Sequence, residues 1–286
     1  MKESVLVIGG DKRYYIAAEL IADLGFTVYI CGFEMLANNP KLKEAQFSNL
    51  PCTDYVLLPA PYQDMDGIVK MPYSETRIKL SAILPELNQN ACVILGGVDW
   101  EVQKMFDTMG IAYYDLLSDE TYTVKNAFIT SQAAVMLAAS KSAKALSDCN
   151  ILVCGYGRIG KTLTRLLYSY GCRVTVSARK DKDLEWIGIT GCKPVYTNEI
   201  EKVINDQDII FNTIPFCVLD QKELVHAKKN VLIMELASKP FGINFEEASK
   251  LGLNTYIELG LPGRCFPCSA AKTVAEAFQR VVKRGW

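Results

Sequence analysis

Near the middle of the chain, Gly155-Tyr156-Gly157-Arg158-Ile159-Gly160 sets three glycines at the spacing G-x-G-x-x-G. A short apolar run, Ile151–Cys154, precedes it. A helical run, Lys161–Tyr170, follows, and a second apolar run lies at Arg173–Val176. That is one β-α-β unit, the context in which these glycines do chemistry. Gly155 permits a tight turn, Gly157 lets a pyrophosphate approach the backbone, and Gly160 lets helix and strand pack closely. The helix start adds unpaired N–H groups and the positive end of its dipole. The pattern therefore predicts a dinucleotide site rather than a purely structural turn. Further contacts are expected at the carboxyl ends of neighbouring strands, at Thr213, Ile214 and Pro215 and at Ala237 and Ser238.

The end of the second strand selects the nucleotide. An NAD site places Asp or Glu about 20 residues on, against the ribose 2′-hydroxyl. Here the strand ends Ser177-Ala178-Arg179-Lys180, with no carboxylate and two cations. Arg179 offers a planar fork of donors to a 2′-phosphate. The residues thus predict NADP(H). Two alternatives stand beside it: Arg179 and Lys180 as a solvated loop pair, or Asp181 or Asp183 taking over the ribose.

Two β-α-β units are needed to account for the chain. Val5–Gly9, Tyr15–Leu24 and Thr27–Cys31 read as strand, helix and strand, joined by Gly9-Gly10-Asp11-Lys12-Arg13. That turn suits a small anion better than a dinucleotide, or is a tight turn with solvated charges. Further strands are expected at Asp54–Leu58, Cys92–Leu95 and Ile111–Asp115, and later at Asp208–Thr213, Val231–Leu236 and Asn254–Leu259. Ile129–Leu146 is Ala-rich, free of Gly and Pro, and reads as a helix linking the halves. Ser269–Lys283 is an amphipathic closing helix. The expected fold is α/β: two Rossmann-like, doubly wound parallel-sheet domains joined by a long helix, with an interdomain cleft. The expected division is an N-terminal substrate domain over 1–128, the linker 129–147, the nucleotide domain 148–266, and a helix 267–286 returning to the first domain.

The 286 residues are 50% hydrophobic and 22% charged, with a formal net charge of −1. This gives no basic field for nucleic acid or an anionic membrane. No apolar run approaches the roughly 18 residues of a membrane helix. The start, MKESVLVIGGDKRYY, does not read as a signal peptide, and a cytoplasmic protein is expected. The ten cysteines are scattered, several of them in apolar runs (Cys31, Cys92, Cys154), and are expected to be small buried hydrophobes of a reducing compartment. Cys265-Phe266-Pro267-Cys268 is the one close pair and, with a single histidine, predicts no metal site.

Val7-Ile8-Gly9-Gly10-Asp11-Lys12-Arg13, Asn150–Gly160, Asn212-Thr213-Ile214-Pro215, Leu236-Ala237-Ser238-Lys239-Pro240 and Leu261-Pro262-Gly263-Arg264 together resemble the A chain of dipicolinate synthase. The likeness is in order along nearly the whole chain, and the opening G-G-D-K-R is its most particular part. It implies oxidation of a dihydrodipicolinate-type ring to pyridine-2,6-dicarboxylate with NADP, in the mother cell of a sporulating bacterium. It also implies a second, flavoprotein-like synthase subunit, and self-association is expected. Two departures stand out. Gln132, in Thr130-Ser131-Gln132-Ala133, replaces a carboxylate with an amide, and the Cys265–Ser269 segment replaces a simpler run.

On that resemblance, a small dicarboxylate substrate needs cations, with Lys12, Arg13, Arg77 and Arg264 as candidates. Asp99, at a strand end after Gly96-Gly97, and Glu235, in VLIMEL, are candidate proton acceptors, beside water. His226 lies between a helix and a strand start, the face away from a cofactor. This disfavours a 2-hydroxyacid-type dehydrogenase, which pairs a cleft His with a carboxylate. A non-catalytic NADP-binding or assembly subunit is the other alternative.

Overall fold

The computed structural model describes residues 3–284. The chain divides into two compact units, Met1–Asn126 with Pro262–Trp286, and Ala127–Leu261.

The first unit begins with β1 (Ser4–Ile8), α1 (Lys12–Asp23), β2 (Thr27–Cys31), β3 (Leu42–Glu44) and β4 (Tyr55–Leu57). It continues through α2 (Leu80–Ile83), β5 (Cys92–Leu95), α3 (Trp100–Met109) and β6 (Tyr113–Asp115). The sheet order is β3-β2-β1-β4-β5-β6, every pair parallel. A parallel sheet is covered on both faces, so its central strands read as unbroken apolar runs; Val5 to Ile8 are all fully buried.

α4 (Glu120–Lys141) starts in the first unit and runs on into the second. The second unit then holds β7 (Asn150–Cys154), α5 (Arg158–Ser169), β8 (Arg173–Ala178), α6 (Asp181–Ile189), β9 (Lys193–Tyr196) and β10 (Ile209–Asn212). α7 (Gln221–Leu224), β11 (Leu232–Glu235), α8 (Phe245–Lys250) and β12 (Asn254–Ile257) complete its sheet, ordered β12-β11-β10-β7-β8-β9 and again wholly parallel. Counted from the edge, both sheets have the order 3-2-1-4-5-6 of a doubly wound fold. The winding reverses beside β1 in one and beside β7 in the other, and a glycine turn follows each of those strands.

α9 (Leu261–Cys265) and α10 (Pro267–Arg284) close the chain. Ala271, Val274 and Phe278 of α10 enter the core formed by Val5, Val7, Tyr14 and Ile21. The Phe278 ring meets Phe26 and Tyr55 edge-on at 5.2 and 5.4 Å.

Several elements differ from the sequence reading. The long helix spans Glu120–Lys141, not Ile129–Leu146, because Asp119 caps it, accepting from the Thr121 and Tyr122 N–H groups. Residues 261–265, to which the sequence reading gives no element, are helical. β3 has no counterpart in the sequence reading: it has three residues, two of them charged, and gains its place by pairing with β2 at the sheet edge. The stretch before β10, also without an element in the sequence reading, forms two 3-10 turns.

Candidate functional site

In the second unit the three glycines occupy three distinct environments. Gly155 has φ +99°, and a Cβ there would lie 2.6 Å from Thr213 Oγ1. A Cβ on Gly160 would lie 2.1 Å from the Gly155 carbonyl oxygen. Gly157 is the N-cap of α5, with no side-chain cap, and a Cβ on it would meet nothing within 4 Å. So the first and third glycines are demanded by packing, and the second leaves open space in front of uncapped N–H groups. That is the cradle a pyrophosphate needs. Tyr156 is half-buried, with Lys161 Nζ over its ring at 5.3 Å, while Arg158 is exposed and Ile159 half-buried.

The strand ends around this cradle are tied to it. The Gly155 N–H donates to the Ser177 carbonyl at 3.0 Å and to Ser177 Oγ at 3.3 Å. Ser177 and Ala178 are buried. Ser177 therefore supports the turn from beneath, a correction to its reading as a cofactor contact; β8 is buried on both faces from Val174 onward, which keeps this side chain inside. Arg179 and Lys180 are exposed, and the Arg179 guanidinium carbon lies over the Phe216 ring at 5.2 Å. Asp181 accepts from the Tyr196 hydroxyl at 3.0 Å. Thr213 donates from its N–H and Oγ1 to the Cys154 carbonyl at 3.0 and 2.8 Å. Ile214 is buried and Pro215 exposed beside it.

Glu235 is fully buried. Its Oε1 accepts from Asn212 Nδ2 at 2.7 Å and the Ala237 N–H at 2.9 Å, and its Oε2 from the Gly242 N–H at 2.8 Å. Burial pushes its carboxyl above the usual range despite these donors. It pins the loops after β10 and β11 together and presents no oxygen to a substrate, which corrects its reading as a catalytic group. Gly242 is the partner that sequence reasoning missed: a Cβ there would lie 2.3 Å from Asn212 Nδ2. Ala237 is buried in the same loop and Ser238 exposed. His226 is exposed between α7 and β11, at the amino end of that strand, whereas the glycine turn follows the carboxyl end of β7.

In the first unit, Gly9 and Gly10 have φ +62° and +99°. The Gly9 N–H donates to the Cys31 carbonyl at 2.9 Å, the same bond that Gly155 makes to Ser177. By that register Asp11 stands where Gly157 stands, as N-cap of α1, and Tyr14 where Gly160 does. A carboxylate in the cradle repels a pyrophosphate, so this turn is no dinucleotide site. Arg13 is buried, with Nε 2.9 Å from Asp11 Oδ1, Nη2 2.9 Å from Asp11 Oδ2, and Nη1 donating to Asn126 Oδ1 at 3.4 Å. Burial alone would lower its pKa, but Tyr14 and Asp11 more than offset this, and it stays charged. Its donors face Asp11, so it orders the turn rather than standing free for a substrate.

Lys12 is exposed at the start of α1, and Arg264 is exposed on α9, next to Gly263, whose Cβ would fall 2.1 Å from Asp11 Oδ2. Lys70, which sequence reasoning passed over, receives the Gly10 N–H on its carbonyl at 2.7 Å. Burial and the nearby Arg13 charge lower its ammonium pKa. Arg77 is instead an exposed surface cation beside Asp66 (3.3 Å) and Asp64 (4.0 Å), which removes it from this cluster. Asp99 is exposed, capping α3 by accepting from the Val102 N–H at 3.0 Å. A cavity of about 440 Å³ opens at the ends of β2 and β3, but Glu34 and Glu44 in its wall disfavour a dianion. Among the described residues no group of three or more His, Cys, Asp or Glu could hold a metal ion, and no helix is long and apolar enough to cross a membrane.

Two doubly wound units, one carrying an open glycine cradle, define a Rossmann-type protein with a dinucleotide-binding domain. Residues 119–238 match the family described as D-isomer specific 2-hydroxyacid dehydrogenase, NAD binding domain. Residues 4–117 match the family described as the N-terminal domain of the dipicolinate synthase A chain. The dipicolinate synthase A chain of Bacillus subtilis (strain 168) is 27% identical over 97% of this chain and 95% of its own length. Crystal structures of the same synthase chain from Bacillus halodurans and from Bacillus subtilis superpose with a TM-score of 0.87 each. The first is 23% identical, covering 98% of this chain and 97% of the other; the second is 25% identical, covering 99% and 97%. The protein is a relative of the dipicolinate synthase A chain along nearly its whole length.

Proposed function

We propose that the protein is an NADP-dependent oxidoreductase that converts a dihydrodipicolinate-type ring, or its hydrated tetrahydro form, to pyridine-2,6-dicarboxylate. We place this activity in the cytoplasm of the mother cell of a sporulating bacterium, with a second synthase subunit as partner. The observation that carries the cofactor assignment is the end of β8, where Arg179 is exposed and no carboxylate stands in the ribose position. Asp181, the nearest alternative, is engaged by Tyr196.

A nicotinamide held at this cradle would supply the hydride acceptor for the ring. The protein's own groups bind and orient. The Gly157 cradle and the first N–H groups of α5 receive the pyrophosphate, and Thr213, Ile214 and Pro215 line the turn beside it. Lys12, Lys70 and Arg264, around the β1–α1 turn, supply the positive charge that two carboxylates need, while the Asp11–Arg13 pair holds the turn in shape. Aromatisation drives the reaction, so orientation is the main task. Asp99, exposed at the carboxyl end of β5, is the residue we assign to take the ring proton. Asn in its place keeps the helix cap and removes the base.

The test is a turnover assay with dihydrodipicolinate and NADP, with and without the partner subunit, following formation of reduced nicotinamide. The proposal expects turnover with wild type and a fall of about ten-fold or more for Asp99→Asn. A protein that binds NADPH but turns over in neither condition would leave the alternative of a cofactor-holding assembly subunit.

A further inference from the structure

We infer that Phe216 is a specificity-determining residue: its ring is the platform that holds Arg179 ready for the 2′-phosphate of the nucleotide. This deepens the NADP reading and rests on it. Phe216 is a large apolar side chain left 41% exposed, on the loop that leaves β10 beside the glycine turn. The core gives no reason for a ring there. Its face is instead met by the Arg179 guanidinium, 5.2 Å from the ring centroid. The two residues come from the ends of β8 and β10, the strands that flank β7 on either side.

The mode of contact matters. A carboxylate partner would consume the in-plane N–H donors of the guanidinium and cancel its charge. An aromatic ring holds the cation over its face without offering it an acceptor oxygen, so the charge is not cancelled and the fork of donors stays available to an incoming phosphate. Among the described residues no carboxylate forms an ion pair with Arg179. The loop that carries the ring is anchored on both sides of it. On one side Asn212 donates to the Ile214 carbonyl at 2.9 Å and accepts from the Ile214 N–H at 3.2 Å. On the other, the Val218 and Leu219 N–H groups donate to the Gly242 carbonyl at 2.9 and 3.0 Å. Pro215, immediately before Phe216, restricts the backbone between these anchors. Phe216 thus acts through Arg179, as a positioning residue.

The experiment measures NADPH and NADH affinities of the full chain for wild type, Phe216→Ala, Phe216→Trp, Arg179→Ala and the double variant Arg179→Ala/Phe216→Ala. Loss of a cation–π contact of this exposed kind predicts that Phe216→Ala weakens NADPH by roughly 2- to 10-fold and leaves NADH within about two-fold. Phe216→Trp should keep the NADPH preference. The double variant should be no worse for NADPH than Arg179→Ala alone, since the ring acts only through the arginine. Equal loss of both nucleotides in Phe216→Ala, or additive losses in the double variant, would overturn the inference while leaving the NADP reading in place. An unchanged NADPH/NADH ratio in Arg179→Ala would remove that reading and this inference with it.

Discussion

At the scale of single residues, the glycine turn makes a sharp distinction that its sequence motif does not. Gly160 and Gly157 look alike in the pattern, yet one faces a carbonyl oxygen and the other open space. Gly160→Ala must push the Gly155 carbonyl aside and should cost about 2–3 kcal/mol, seen as a drop of several degrees in the thermal midpoint. Gly157→Ala should leave the midpoint within about a degree, because its φ of −80° suits any residue, yet weaken NADPH in a fluorescence titration. The two variants swapping these effects would contradict the assigned cradle. Glu235 offers a second test. Glu235→Gln turns an amide N–H₂ toward donors and should cost about 1–3 kcal/mol, read by denaturant unfolding. Full stability with lost turnover would instead return Glu235 to the chemistry. The sequence could not decide this, since VLIMEL shows a carboxylate in a buried strand but not the three donors around it. Asp11–Arg13 hid in the same way: both residues are plain in the opening motif, but only the folded turn shows that they face each other.

At the scale of elements, legibility followed burial. The central strands are covered on both faces, so β1, β5, β7, β10 and β11 stand out as apolar runs. β3 is an edge strand held by its partner, and nothing local announces it. The start of α4 is hard to read because its first turn holds Glu120, Thr121 and Thr123, poor company for an Ala-rich pattern, while its true start is set by the Asp119 cap. One ionic junction ties several elements of the second unit. Asp208, just before β10, accepts from the Asn150 N–H at 2.9 Å and lies 3.0 Å from both Lys144 and Lys228. Burial pushes its carboxyl up, but the Asn150 N–H and the two ammonium groups outweigh this and hold it at about 2, against a usual 3.8. A carboxylate lowered on folding stabilises the native state above its unfolded pKa, and that contribution is lost as pH falls through the folded value. Wild type should therefore lose stability between about pH 4 and 2 more steeply than Asp208→Asn, which should already be weaker at pH 7. Parallel pH–melting curves for the two proteins would contradict the junction's role.

At the scale of the whole molecule, two copies of one winding order have been put to different uses. The second unit keeps glycine at the cradle; the first places Asp11 there and closes its turn to a dinucleotide. This asymmetry is partly visible in the sequence, as G-x-G-x-x-G against G-G-D-K-R, because a missing glycine is local information. The set of cations around the first turn is not, because Lys70 reaches that turn through the fold. The central claim is that the second unit is an NADP site. The most direct test is titration of the purified protein with NADPH and with NADH, following nicotinamide fluorescence. A site built on Arg179 predicts saturable NADPH binding about ten-fold or more tighter than NADH. Equal or tighter binding of NADH, or no binding of either, would contradict it.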